Sequence, residues 1–147
     1  GDMVLQAHFQ LGAVFFLASH VTAIALYFRH RRDSHTPSHK AVAIALLLLT
    51  PLIAFLLPAD RAQAPGVAVY AFGLGGMACA AWLSSFPRYR VGIGAVLFVV
   101  SDLLIFAQMG PLANSPFPDL LIWPTYYAGQ FLICTGVVST LRRYSLG

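Results

Sequence analysis

Charged residues are scarce in this sequence: they make up 10% of the 147 residues, whereas a soluble domain carries roughly 25%. Hydrophobic residues make up 59% and fall in long, nearly continuous runs. The low charge argues against a soluble domain, and the lack of polar–apolar alternation argues against a transmembrane β-barrel. Because only helices and closed barrels satisfy their backbone in lipid, we predict an all-α, polytopic bundle of transmembrane helices.

Cysteine is also scarce. Cys79 and Cys134 both lie inside apolar runs, where thiols usually serve as small packing residues. We therefore expect no disulfide, no metal site and no cofactor. A signal peptide is not expected either, because the first apolar run lacks a basic n-region and a cleavage site. The chain begins with Gly-Asp rather than Met, which suggests a processed chain or a fragment.

The apolar runs indicate about five membrane spans, each close to the ~20 residues that a bilayer requires. We expect them to form a single membrane-embedded domain over residues 1–147. The predicted spans cover residues 9–28, 41–57, 67–84, 91–109 and 121–139.

Basic residues alternate between the connectors. Eight of the nine Lys and Arg residues follow the first, third or fifth span, and only Arg61 lies on the other side. By the positive-inside rule, this pattern predicts a multi-pass protein, in a bacterial inner membrane, with a cytoplasmic C-terminus. It also explains the net charge of +4 without a nucleic-acid partner. The basic connector at residues 29–40 is suited to contact anionic lipid headgroups.

A nine-residue motif occurs twice, as GAVFFLASH at residues 12–20 and as GAVLFVVSD at residues 94–102, with five identical positions. In each copy a glycine, a phenylalanine and an ionisable residue are spaced by four, so they share one helix face. The glycine permits close helix packing. We expect the ionisable residue to point into the bundle. The two sets are Gly12, Phe16 and His20, and Gly94, Phe98 and Asp102.

His20 and Asp102 are both predicted near the bilayer centre. Asp102 lies about eleven residues into its span, or roughly 16 Å at 1.5 Å per residue. Charge at that depth costs ~3 kcal/mol or more on insertion scales and usually marks a functional site. Two structural alternatives remain open: an interhelical hydrogen bond from Asp102, and a neutral His20 that bridges two helices.

The last span contains the segment IWPTYYAGQFLIC. Its spacing places Trp123, Tyr127 and Gln130 on one helix face. Gln130 is an amide inside the apolar run and needs hydrogen-bond partners. Alternatively, Trp123, Tyr126 and Tyr127 form only an aromatic belt at the outer membrane surface.

These segments resemble the YhhN family of membrane proteins, which includes lysoplasmalogenases. GAVLFVVSDLLIFAQ followed by LIWPTYYAGQFLI is similar to the closing part of that family. The opening GDMVL and LGAVFFLASH, and VAVYAFGLGGMACAAW, resemble earlier motifs. Family members usually have about eight spans, so the resemblance implies that the opening helices are missing. In family members a tyrosine often closely follows the histidine that corresponds to His20, and this chain lacks that tyrosine.

The resemblance implies hydrolysis of the vinyl ether bond of lysoplasmalogens, taken from the bilayer, to a fatty aldehyde and a glycerophospho-ethanolamine or -choline. It further implies that Asp2 and Asp102 form a carboxyl pair, with His20 orienting one of them or the attacking water. Apolar surroundings help a carboxyl group to hold a proton for such chemistry. Residues expected to hold the substrate or the water are Ser101, Trp123, Tyr126, Tyr127 and Gln130.

Two other functions remain compatible with the sequence. Repeated spans with ionisable groups near the midplane also suit a small proton-coupled transporter. A shortened chain is also compatible with an inactive fragment of the enzyme. The shape of the polar site distinguishes a transporter from the enzyme, since a transporter needs an aqueous path to both membrane faces. A direct assay for aldehyde release distinguishes an inactive fragment from the enzyme.

Overall fold

The computed structural model describes residues 2–145, with side chains described at residues 15, 16 and 18–145. Within that range the chain is helical and contains no β-strand, which confirms the predicted all-α bundle. A single π-helical turn, Arg88–Gly92, leads into the fourth helix. The helices are α1 (Asp2–Arg29), α2 (Pro37–Leu56), α3 (Ala64–Leu83), α4 (Ile93–Gln108) and α5 (Phe117–Ser145).

Within the part of the chain that the structure describes, three helical segments are long and apolar enough to cross a membrane: Pro37–Leu56, Ala64–Leu83 and Arg88–Gln108. The chain is therefore a membrane protein. The other two predicted spans lie in α1, of which only residues 15, 16 and 18–29 have described side chains, and in α5, which is more polar than these three segments. α5 carries several hydroxyl side chains, an amide and, in its last turn, two arginines.

Helix α3 is the centre of the bundle, because it packs against α1, α2 and α4, while α5 packs against α4. Small residues permit the close approach of these helices. A Cβ atom at Gly75 of α3 would lie 2.7 Å from the backbone oxygen of Leu46 in α2. A Cβ atom at Gly94 of α4 would lie 2.7 Å from the backbone oxygen of Gly129 in α5.

The basic connectors meet at one end of the bundle. An isolated β-bridge joins Arg31 to Ser84, and the amide of Ser85 donates to the carbonyl of His30 at 2.7 Å. The rings of His30 and Tyr144 stack with their centroids 6.5 Å apart. These contacts gather the end of α1, the end of α3 and the end of α5, as the charge pattern predicts.

Replacing Gly94 by alanine is expected to destabilise the α4–α5 contact, because the new methyl group would overlap backbone atoms. The expected loss is about 1–3 kcal/mol, the usual cost of overpacking. It is measured as the free energy of unfolding in a detergent titration.

Gly66→Ala is the matched control, since a Cβ atom at Gly66 meets no atom within 4 Å. We expect this variant to be as stable as the wild type or slightly more stable, because alanine favours helix more than glycine does. Equal losses for both variants would contradict the close α4–α5 packing.

Candidate active site

Asp102 of α4 is buried and is hydrogen-bonded across the bundle. Its side chain is 4% exposed, and the Tyr70 hydroxyl of α3 donates to its Oδ2 atom at 2.9 Å. A hydrogen bond to a charged or polar partner inside an apolar region fixes the geometry of both groups, because water is not present to replace it. The structure therefore holds one oxygen of this carboxyl group in a defined position.

The second carboxyl oxygen of Asp102 has no comparable partner among the described residues. Ser101 lies 3.5 Å from Oδ1, which is too long for a good O–H···O hydrogen bond. The Ser101 hydroxyl instead donates to the carbonyl of Phe98 in its own helix at 2.7 Å. A hydroxyl has one proton to give, so Oδ1 remains available to another molecule.

His20 of α1 packs against the ring of Tyr70. It is 3% exposed, and its ring meets that of Tyr70 edge-on at a centroid distance of 5.8 Å. Its Nε2 atom is buried and has no hydrogen-bond partner among the described side chains. An unpaired polar atom is costly in an apolar region, so this nitrogen is suited to bind a substrate atom or water. The two predicted ionisable groups, Asp102 and His20, thus both contact Tyr70.

The two copies of the repeated motif contact each other through aromatic rings. Phe16 and Phe98 occupy equivalent positions, and their ring centroids are 6.3 Å apart. His20 also packs edge-on against Phe98, at 5.6 Å. The two copies therefore contact each other through Phe16, His20 and Phe98, whereas the surroundings of Gly12 are outside the described part of the chain.

Helix α5 contributes one predicted residue to this aromatic cluster. Tyr126 is half-buried, and its ring lies 5.4 Å from that of Phe98. Trp123 and Tyr127 instead stack on each other at the surface, 60% and 63% exposed, and Gln130 is half-buried. The structure thus brings Tyr126 close to the site and directs Trp123 and Tyr127 outward.

Asp2 begins helix α1, but its side chain lies outside the described residues. Its predicted pairing with Asp102 therefore stays a prediction. Among the residues that the structure describes, no three His, Cys, Asp or Glu side chains form a group that would hold a metal ion.

The arrangement offers a carboxyl oxygen and an imidazole nitrogen beside aromatic rings. The carboxyl and imidazole groups are able to exchange protons. The faces of the aromatic rings attract positive charge through their quadrupoles. The site is therefore equipped to protonate a bound molecule and to stabilise a cation that forms from it.

Residues 1–137 match the family model of the YhhN family. The chain belongs to the YhhN family. It is 31% identical over 134 residues to a lysoplasmalogenase of Mycobacterium bovis and, equally, to one of Mycobacterium tuberculosis. Each match covers 87% of this chain and 49% of the relative, so the chain spans about half the length of these curated relatives. No solved structure matches it.

Tyr70 is the site residue of this YhhN-family chain that sequence reasoning missed. Its helix is rich in glycine and alanine, which are typical of close helix packing rather than of a catalytic site. A signal was present nevertheless: Tyr70 is the one tyrosine in α3, and it lies in the segment VAVYAFGLGGMACAAW that resembles the family. A phenolic hydroxyl inside an apolar helix needs a partner, and a carboxyl group on a neighbouring helix supplies one.

Proposed function

We propose that this chain hydrolyses the vinyl ether bond of lysoplasmalogens to a fatty aldehyde and a glycerophospho-ethanolamine or -choline. Family membership and two relatives named lysoplasmalogenase support this reaction. The structural observation that carries it is the Asp102 carboxyl group, which is held by Tyr70 through one oxygen and is free at the other.

The reaction adds one water molecule across the vinyl ether. A proton adds to the outer alkene carbon, and the π electrons form the new C–H bond. The inner carbon and the ether oxygen then share the positive charge of an oxocarbenium ion. Water then attacks that inner carbon and loses a proton. The hydroxyl group of the resulting hemiacetal then loses its proton and becomes the aldehyde carbonyl, as the bond to the glycerol oxygen breaks. The glycerol oxygen takes up a proton and leaves as the alcohol. No oxidant or reductant is required.

In this proposal Asp102 donates the proton to the alkene carbon through Oδ1. Tyr70 positions the carboxyl group of Asp102. His20, through Nε2, hydrogen-bonds the attacking water. The rings of Phe98 and Tyr126 face the oxocarbenium ion and stabilise its positive charge. Asp2 remains the proposed second carboxyl group. Ser101 remains a proposed contact of the substrate or the water.

The α5 residues are proposed to contact the lipid rather than the reacting bond. Gln130 is half-buried and suits a glycerol hydroxyl. Trp123 and Tyr127 are exposed and stacked, which suits contact with the glycerol region or the tail of a lipid that arrives sideways from the bilayer.

Asp102→Asn is expected to lower aldehyde release from a lysoplasmalogen by about a thousandfold. General acid catalysis accelerates reactions roughly 10²–10⁴-fold, and asparagine has no acidic proton to donate. The assay traps the aldehyde released by the purified chain in lipid. In heavy water the trapped aldehyde should carry one deuterium on the carbon next to the carbonyl.

Asp119→Asn is the matched control, since Asp119 is exposed at the start of α5 and accepts a hydrogen bond from Gln108. It should keep wild-type activity, and a lysophospholipid with a saturated ether should not be cleaved by any variant. Full activity of Asp102→Asn, or no aldehyde from the wild-type chain, would refute the proposal.

We also propose that the chain crosses a bacterial inner membrane several times, as one embedded domain, with the basic end of the bundle in the cytoplasm. Alkaline phosphatase, which is active only outside the cytoplasm, tests the orientation. Fusion after Arg61 should give an active reporter, and fusion after Arg143 an inactive one. The reverse pattern would contradict the proposed orientation.

A further inference from the structure

A second feature lies away from Asp102, toward the basic end of the bundle. It is a crevice between α1, α2 and α3 with a volume of about 240 Å³. Tyr70 precedes Gly76, a lining residue of the crevice, by six residues on α3, so the two positions are roughly 9 Å apart along the helix. The crevice is lined by Ile24 and Phe28 of α1, Leu47 of α2, Cys79 and Leu83 of α3, and Arg31, among others.

The crevice exists because the facing side chains of α3 are small. A Cβ atom at Gly76 would meet only the Cδ1 atom of Ile24, at 3.6 Å. Cys79 and Ala80 continue the same narrow surface toward the end of the helix. α1 and α2 therefore leave an apolar slot beside α3.

Arg31 is held at the end of this slot by backbone contacts. Its β-bridge to Ser84 joins the end of α1 to the end of α3. The amide of the next residue, Arg32, donates to the carbonyl of Leu83 at 3.3 Å. The backbone that carries the Arg31 guanidinium is thus tied to the helix that forms the crevice floor.

The surroundings of Arg31 are positively charged. His35 lies in the same connector, and partial burial together with Arg88, Arg31, Arg32 and Lys40 lowers its pKa. These four cations come from the connector after α1, from α2 and from the turn before α4, and they outnumber the one carboxylate of that connector, Asp33. The rim of the crevice is therefore suited to bind an anion.

We propose that the crevice binds an anionic membrane phospholipid, with one acyl chain between α1, α2 and α3 and the phosphate on Arg31. Arginine pairs with phosphate oxygens through two parallel hydrogen bonds. The volume lies below the roughly 300–1,000 Å³ of pockets that enclose a whole drug-sized ligand, so the crevice holds part of one acyl chain and the rest of the lipid stays in the bilayer.

This site is separate from the proposed hydrolysis. His20 lies nine residues before the end of α1 at Arg29, or roughly 14 Å along the helix, and Arg31 lies beyond that end. A phosphate on Arg31 would therefore keep the bonds next to its glycerol away from Asp102. Binding should be the same in Asp102→Asn, and it does not depend on catalytic activity.

Native mass spectrometry of the chain released from nanodiscs tests the proposal with phosphatidylglycerol as the probe. The wild-type chain should retain one phosphatidylglycerol. Gly76→Leu, which fills the slot, should lower that occupancy by about tenfold, a loss equivalent to one good apolar contact. Gly66→Leu is the control, since the same substitution there meets open space. Equal retention by the two variants would overturn the proposal.

Arg31→Gln tests the headgroup contact. It should abolish the preference for phosphatidylglycerol over phosphatidylcholine with the same chains, whereas Arg29→Gln, which does not line the crevice, should keep it. Inorganic phosphate should not displace the bound lipid, because it lacks the chain. Displacement by phosphate, or an unchanged preference in Arg31→Gln, would overturn the assignment.

A measurement in the wild-type chain keeps the test independent of any folding defect in Gly76→Leu. Because a nearby phosphate favours the protonated imidazole, the pKa of His35 should be higher in phosphatidylglycerol than in phosphatidylcholine nanodiscs. Imidazole NMR measures the difference, and Arg31→Gln should reduce it. An identical pKa in both lipids would refute a phosphate at this rim.

Discussion

The hydrogen bond from Tyr70 to Asp102 is the constraint on which the rest of the site depends. It joins α3, the central helix of the bundle, to α4. Because one carboxyl oxygen is fixed in this way, the other keeps a defined direction and a free lone pair. His20 packs against the ring of the same tyrosine, so a single side chain positions both ionisable groups. In the proposed reaction this geometry directs the proton of a costly buried carboxyl group toward the substrate.

The sequence predicted the parts of this site that follow from the cost of charge in lipid. Asp102 and His20 were chosen because ionisable groups in apolar spans are expensive, and both are buried in the structure. The five helices followed from the length of the apolar runs. Tyr70 was missed because a tyrosine costs little in an apolar span, and its role depends on the carboxyl group of another helix.

Helix rotation was harder to predict than helix position. The spacing of α5 placed Trp123, Tyr127 and Gln130 on one face, and the aromatic belt remained an alternative for Trp123, Tyr126 and Tyr127. In the structure Tyr126 faces Phe98, while Trp123 and Tyr127 lie at the surface. α5 carries apolar residues on every side, so periodicity does not indicate which face packs against α4. That choice depends on the close contact of Gly94 with Gly129.

The most direct test of this account is the infrared spectrum of the Asp102 side chain, in a chain labelled with ¹³C at the aspartate side-chain carboxyl carbons and held in bilayers. Subtracting the spectrum of Asp102→Asn from that of the wild type isolates the carbonyl or carboxylate stretching band of Asp102, whether the group is protonated or ionised. Loss of the tyrosine hydroxyl in Tyr70→Phe should shift that band, whereas Tyr89→Phe, at an exposed tyrosine, should leave it unchanged. A band that stays in place in Tyr70→Phe would contradict the central role of this hydrogen bond.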